Sequence, residues 1–216
     1  VLAPASIGEA VELVATAFEL AELYRTPVIL LADGIQGQAM EPVEPRFRMP
    51  ERDTFDWALT GADGRAPRVV RSLHLLPEVL EEHNRALQAK FAEIAANEVR
   101  WAGEQLDDAE LVIVAYGTAA RVAHSAVALA RSQGIRAALF RPISLWPYPE
   151  AALREVAGRV RGVLCVELSA GQMVEDVRLA VEGRCPVAFH GRTGGMVPTP
   201  DEVLDALRAL DEGGRS

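Results

Sequence analysis

The sequence predicts an α/β protein whose C-terminal part is a doubly wound parallel sheet with helices on both faces. After Asp107 and Asp108, short apolar runs alternate strictly with amphipathic stretches, each run is apolar throughout, and a turn of small residues closes most of them. Continuous apolar runs suit strands buried on both faces, and strand following helix in strict order calls for right-handed crossovers between parallel strands. The strand runs are ELVIVAYG, IRAALF, GVLCVEL and PVAFHG. The helical stretches are TAARVAHSAVALARSQG, a short one after WPYPE, GQMVEDVRLAV and PDEVLDALRAL.

The first 40 residues read differently. In IGEAVELVATAFELAELYR, Ser6 and Glu9 form a capping box, and Ile7, Val11, Val14, Phe18 and Ala21 recur at helical spacing. Pro27 then starts PVILLAD, another continuous apolar run of the kind buried on both faces of a parallel sheet. One helix cannot cover such a strand, because a parallel strand needs neighbours on each edge. The opening VLAP reads as the tail of a preceding strand. The expectation is a domain entered part-way, with its remaining strands before residue 1 or on another subunit.

Residues 41 to 68 hold Pro42, Pro45, Pro50 and Pro67, with Gly61 and Gly64, a density that argues against a helix or a central strand and for a linker. From Pro77 to about Trp101 the pattern is helical again, with Leu80, His83 or Asn84, Leu87, Phe91 and Ile94 on one stripe. The expected divisions are residues 1 to 40, a linker and connecting helix over 41 to 105, and a complete α/β domain over 106 to 212.

Composition removes several functions. Of 216 residues, 50% are apolar, enough for a sizeable core, and no run approaches the roughly 20 apolar residues of a membrane span. With no secretory leader pattern at its start, the chain is expected in the cytoplasm. Thirty-one acidic residues against 22 basic ones give a net charge of -9, and no basic stripe gathers, so nucleic acid is not an expected partner. Lys90 is the only lysine, which leaves Schiff-base or P-loop chemistry one candidate, on a polar helix. Cys165 and Cys185 are too isolated to hold an iron-sulfur cluster, and Cys165 reads as a small buried hydrophobe. No two histidines have the spacing of a helical metal pair, and no serine lies in a GxSxG elbow.

Ligands of open α/β sheets bind outside the carboxyl ends of the strands. Gly117 and Thr118 open a helix whose free amides could hold an anion, although a single glycine at such a turn is also what the bend needs. Gly171 and Gln172 pose the same choice. There Glu175 and Asp176, in or just beyond the first helical turn, complement the helix dipole and would repel a phosphate. Arg141 and Arg192 follow apolar strands and could grip a carboxylate, or else form ion pairs with Glu167, Glu175 or Asp176. Gly194 and Gly195 sit in the last such loop, beyond His190. Asp33 and Gly34 end PVILLAD, where Gly34 and Gly37 permit close backbone approach to a ligand or subunit.

Taken in order, PVILLADGIQGQAMEPVE, WALTG, EEHNRALQAKF, ELVIVAYGTAARVAHSAV, LFRPISLWPYPE, ELSAGQMVEDVRLAV and GRTGGMVPTPDEVL resemble the α subunit of the 2-oxoacid:ferredoxin oxidoreductases, with the branched-chain (2-oxoisovalerate) type nearest and the 2-oxoglutarate type next. The resemblance implies that residues 106 to 212 form a transketolase C-terminal-like domain. It also implies that residues 1 to 40 are the last helix and strand of a truncated thiamine-diphosphate pyrimidine-binding domain. Such enzymes decarboxylate a 2-oxoacid oxidatively, pass electrons to ferredoxin and release an acyl-CoA, the carbanion chemistry belonging to thiamine diphosphate.

By the same resemblance, the cofactor-activating glutamate and the substrate segment lie in the missing N-terminal portion. A β subunit carries the diphosphate and Mg²⁺ at the αβ interface, the iron-sulfur cluster sits on another subunit, and γ and δ (ferredoxin-like) subunits are further partners. No catalytic residue is then expected in this chain, no cofactor is bound by it alone, and the fragment by itself is inactive. His190 stands where the family pattern expects a tyrosine. Readings of another class are a transketolase-like transferase subunit and a flavodoxin-like assembly module.

Overall fold

The computed structural model describes residues 1–44 and 55–213. Pro45 and Pro50 of the linker reading lie outside the described residues. The described part of the linker, 41–44 and 55–76, holds no helix and no strand.

Five strands form one sheet: β1 (Trp101–Glu104), β2 (Leu111–Val114), β3 (Ala137–Pro142), β4 (Gly162–Glu167) and β5 (Val187–Gly191), in the order β1-β3-β2-β4-β5. β2 pairs in parallel with β3 and β4, and β4 with β5. Helices α3 (Gly117–Ser132) and α6 (Pro200–Gly213) cover one face, where Leu111, Ile113, Leu139, Leu164 and Val166 meet the alanine-rich side of α3. Helices α4 (Glu150–Ala157) and α5 (Met173–Val181) cover the other, over Val112, Val114, Phe140, Val163 and Cys165. Successive residues of each inner strand therefore feed opposite cores, which is why the runs are apolar without alternation. The small side chains of Ala119, Ala123, Ala126 and Ala130 let α3 approach the sheet closely.

One expectation needs correction here. The connecting helix, α2 (Pro77–Asn97), stops four residues before Trp101, and residues 101–104 join the sheet as an antiparallel edge strand. The cause is tertiary. Ile143 and Ser144 donate backbone N–H bonds to the Arg100 carbonyl, the Ser144 hydroxyl accepts from Arg100 N at 2.9 Å, and the Trp101 ring stacks on Phe140 with centroids 4.8 Å apart. Helical periodicity carries no information about such partners.

PVILLAD, expected to lack neighbours within this chain, does lack them among the described residues beyond one isolated bridge. Helix α1 (Ile7–Leu23) forms as expected, capped by Ser6, whose Oγ accepts from Glu9 N at 3.1 Å. The following run, however, is extended backbone with one isolated parallel bridge, Leu30 to Leu2, and Leu2 bridges onward to Ser144 in antiparallel fashion. Within this chain it is not buried on both faces: Ile29 is 56% exposed and Phe18, on the apolar stripe of α1, 62%. No second layer covers them among the described residues. Among those residues no helix is long and apolar enough to cross a membrane.

The Trp101 stack gives a local test. Trp101→Ala should cost about 1–3 kcal/mol in urea unfolding. It should speed amide hydrogen exchange at 101–104 while β2 to β5 stay protected, because the edge strand can peel without opening the parallel core.

Candidate functional site

The carboxyl edge of the sheet gathers most of the sequence candidates, and each is already engaged by another part of the chain. β4 ends in Glu167, whose side chain is 0% exposed. Its Oε2 accepts from Gln172 N and Met173 N, both at 3.1 Å, and from Ser169 Oγ at 2.7 Å, while Oε1 accepts from Val174 N at 2.9 Å. The opening of α5 thus holds an anion, and that anion is the chain's own. Burial pushes the Glu167 carboxyl up, but the bonds from Ser169 and the three amides outweigh it and hold it below its ordinary value. Met173, Val174 and Val177 of the same helix belong to the apolar core that includes Cys165.

Sequence reasoning assigned the acidic role at this turn to Glu175 and Asp176. The structure transfers it to Glu167, six residues before the helix, and Asp176 is instead raised by burial and then by Glu150, Glu175 and Glu167. The available signal was a lone acid closing an otherwise apolar strand run. Gly171 takes φ +105°, and its φ-permissive backbone makes the turn that points three successive amides inward.

The α3 opening repeats the arrangement with a carboxylate from outside the sheet. Asp33 Oδ2 accepts from Thr118 N and Oδ1 from Thr118 Oγ1, each at 2.8 Å, and Oδ1 also accepts from Ile35 N and Gln36 N. Burial opposes ionisation, yet bonds from Thr118, Gln36 and Ile35 hold the carboxyl below its usual range. Gly117 sits at φ +59°, and a Cβ there would stand 2.9 Å from Asp33 Oδ2, so the position excludes a side chain on two counts. Asp33, Gly117 and Thr118 are therefore one contact, although sequence reading placed them at two separate sites. Between the two carboxylates lies Tyr116, its hydroxyl raised by burial and then by Glu167, Cys165 and Asp33.

The arginines are ion-paired, with partners other than those foreseen. Arg141 makes a bidentate pair with Glu9, both bonds at 2.9 Å, replacing the expected Glu167, Glu175 or Asp176. Arg192 pairs with Glu202 at 2.6 Å, and Glu202 with Thr199 forms the capping box of α6. Partners so distant in sequence cannot be read from spacing. Arg121 pairs with Glu41, which also accepts from Ile7 N at 2.9 Å. Gly194 and Gly195 take φ of +66° and +83° in the loop after β5, whose first residue, Arg192, donates its backbone N–H to the Glu167 carbonyl at 3.1 Å. Among the described residues nothing lies within 4 Å of a Cβ built at Gly34 or Gly37.

Both cysteines are buried free thiols, and burial followed by the Glu167 charge raises the Cys165 thiol, leaving it an unreactive packing residue. His190 is partly buried with Nε2 unbonded. A cleft of about 400 Å³ between α1, α2 and the Trp146–Pro147 turn contains none of the sequence candidates.

Removing either carboxylate leaves buried amides without an acceptor. Glu167→Gln should destabilise the fold by about 2–4 kcal/mol. Because the native carboxyl is depressed, its stabilisation is present above the unfolded value near ~4.3 and disappears as pH falls through the folded one. The gap between wild type and variant should therefore be full at neutral pH and shrink on acidification, in urea titrations run at several pH values. Asp33→Ala should cost about 1–2 kcal/mol and accelerate hydrogen exchange at residues 35–38 and 118.

Comparison with known proteins follows this geometry. Residues 109–203 match the family of the pyruvate:ferredoxin oxidoreductase core domain II. The ketoisovalerate oxidoreductase subunit VorB of Methanothermobacter thermautotrophicus is 43% identical over 97% of the chain, and that of Methanothermobacter marburgensis 43% over 98%. The 2-oxoglutarate synthase subunit KorA of M. marburgensis is 30% identical over 97% of the chain. The chain spans 60%, 59% and 63% of the length of these three relatives. A solved 2-oxoglutarate:ferredoxin oxidoreductase from Magnetococcus marinus superposes on 97% of the chain, and the chain on 41% of it, with a TM-score of 0.77 at 20% identity, which shows the common fold. Residues 109–203 thus match an oxidoreductase domain family, and along nearly its whole length the chain is similar to ketoisovalerate oxidoreductase and 2-oxoglutarate synthase subunits.

Proposed function

We propose that this chain is part of the α subunit of a thiamine-diphosphate-dependent 2-oxoacid:ferredoxin oxidoreductase that converts 2-oxoisovalerate and coenzyme A to the acyl-CoA and CO₂, with ferredoxin taking the electrons. The observation that carries the substrate reading is the 43% identity to ketoisovalerate oxidoreductase subunits, against 30% to a 2-oxoglutarate synthase subunit over the same share of the chain. The sheet edge is compatible with it. Arg141 and Arg192 are each neutralised internally, so neither is free for the second carboxylate of 2-oxoglutarate. The 2-oxoglutarate reading is the alternative, and the KorA relatives favour it.

Within that proposal, residues 1 to 40 belong to a pyrimidine-binding domain, the following stretch is linker and connecting helix, and the transketolase C-terminal-like domain runs to residue 212. We begin that last domain at Trp101, where β1 enters its sheet. The residues present do not fit the cofactor's diphosphate. The α3 opening is filled by Asp33 and the α5 opening by Glu167, and a second anion at either would meet like charge. The proposal therefore assigns diphosphate and Mg²⁺ to a β subunit and the iron-sulfur cluster to another subunit, with γ and δ subunits and ferredoxin as further partners in the cytoplasm. The chain's own part is scaffolding: its paired charges hold residues 1 to 41 against the sheet edge.

The test is a viologen-reduction assay on the assembled enzyme with coenzyme A. 2-Oxoisovalerate should give a kcat/KM on the order of 10-fold or more above that of 2-oxoglutarate. The reverse preference selects the alternative, and turnover of neither acid rejects both.

A further inference from the structure

The α4 and α5 side of the sheet holds a cavity of about 630 Å³, within the size range of small-ligand sites. It is walled by the end of α2, Trp101 of β1, the turn at residues 145–149 and the start of α4, with Asp176 reaching in from α5. The walls are apolar and aromatic, with Ala95 and Ala96 facing a rim that carries two tryptophans. Trp101 stacks on Phe140, and Trp146 meets Phe91 edge to face at 5.6 Å. Even so, the two residues remain 40% and 44% exposed.

The charge in this cavity is unbalanced. Among the described residues the Asp176 carboxylate has no hydrogen-bond donor and no cation beside it. The amides that open α5 are already taken by Glu167, so the helix terminus does not need Asp176 as a second acid. Burial raises its carboxyl, and the charges acting on it, Glu150, Glu175 and Glu167, all add to the rise. Arg154 also lines the cavity, but its guanidinium pairs with Glu182 at 2.8 Å and stands 3.9 Å from Glu150. An anion would meet Glu150 and Asp176 as like charges, and a neutral molecule would leave their repulsion in place. A cation on a hydrocarbon body answers both features: its charge relieves the two carboxylates and is attracted to indole rings, while its chain displaces water from the apolar walls.

We propose that this cavity binds a free aliphatic amine in its ammonium form, with the charged end at Asp176 and Glu150 and the alkyl chain against Ala95, Ala96, Trp101 and Trp146. A cavity of this volume, walled by several elements, takes up a whole small molecule, which is why the occupant is a free amine and not the lysine of another protein. The site uses none of the groups engaged at the helix openings of α3 and α5. It is independent of the oxidoreductase reading, and its test needs no 2-oxoacid.

Tryptophan fluorescence reads the site on the full 216-residue chain carrying Trp57→Phe, so that Trp101 and Trp146 alone report. Calorimetric titration of the unsubstituted chain gives the same affinity without any change of residue. n-Hexylamine should bind saturably, with a Kd on the order of 1 mM or tighter, and the neutral n-hexanol should bind roughly tenfold more weakly. Asp176→Asn should weaken n-hexylamine by roughly tenfold or more and leave n-hexanol unaffected. Because this variant removes a repelled charge, it should unfold at higher urea than its parent, so that lost binding is not lost fold. Glu212→Gln, on α6 across the sheet, removes the same unit of charge and should bind n-hexylamine as the parent does. Equal affinity for amine and alcohol would overturn the proposal, as would an Asp176→Asn variant that binds the amine unchanged or a Glu212→Gln variant weakened to the same degree. Absence of saturation by n-hexylamine also defeats it, and if a lysine-bearing peptide alone saturates the signal, the cavity is a docking point for a partner protein instead.

Discussion

The free amides at the start of a helix demand an acceptor, and in this protein the acceptor comes from within. Glu167 is carried by a central strand into a position with no solvent, where a lone carboxylate would be unsustainable. Three amides of the α5 turn and the Ser169 hydroxyl make it sustainable, and the same bonds fix where α5 starts and how it lies on the sheet. Strand, turn and helix are thereby locked together at a point where α/β proteins often leave an opening for a ligand.

Asp33 extends the principle beyond the sheet. Its carboxylate serves the α3 opening as Glu167 serves that of α5, but it arrives on a segment with little sheet pairing of its own. Glu9 on Arg141 and Glu41 on Arg121 add two further anchors along the same edge. All three acids come from residues 1 to 41 and all three donor groups from the sheet domain, so the net negative charge of the chain has a local use. Acidic side chains hold its N-terminal segment against a rim of arginines and helix N-termini.

That arrangement bears on the proposed function. An edge whose helix openings and arginines are already satisfied leaves no free group there for chemistry, which accords with the scaffolding part proposed for this chain. The apolar surfaces left uncovered point outward, on the stripe of α1 and on the arm before α2. Surfaces of this kind are those by which subunits assemble.

The amino-acid sequence determined the parallel core, the helices that flank it and the turn at which each strand ends, because period, capping and glycine placement are local properties. It also determined that the PVILLAD run lacks enough neighbours in this chain. Tertiary structure alone decided that Trp101 leaves the helical register to stack on Phe140, that Arg141 finds Glu9, and that Asp33 meets Thr118 across 85 residues. The reason is physical: hydrogen-bond and ion-pair energies depend on where groups lie in space, and sequence spacing loses that information once the chain has crossed from one layer to another. Glu167 stands between the two cases, since a lone acid at the end of an apolar strand announces a buried charge, while the amides that satisfy it become visible only when the α5 turn has closed around it.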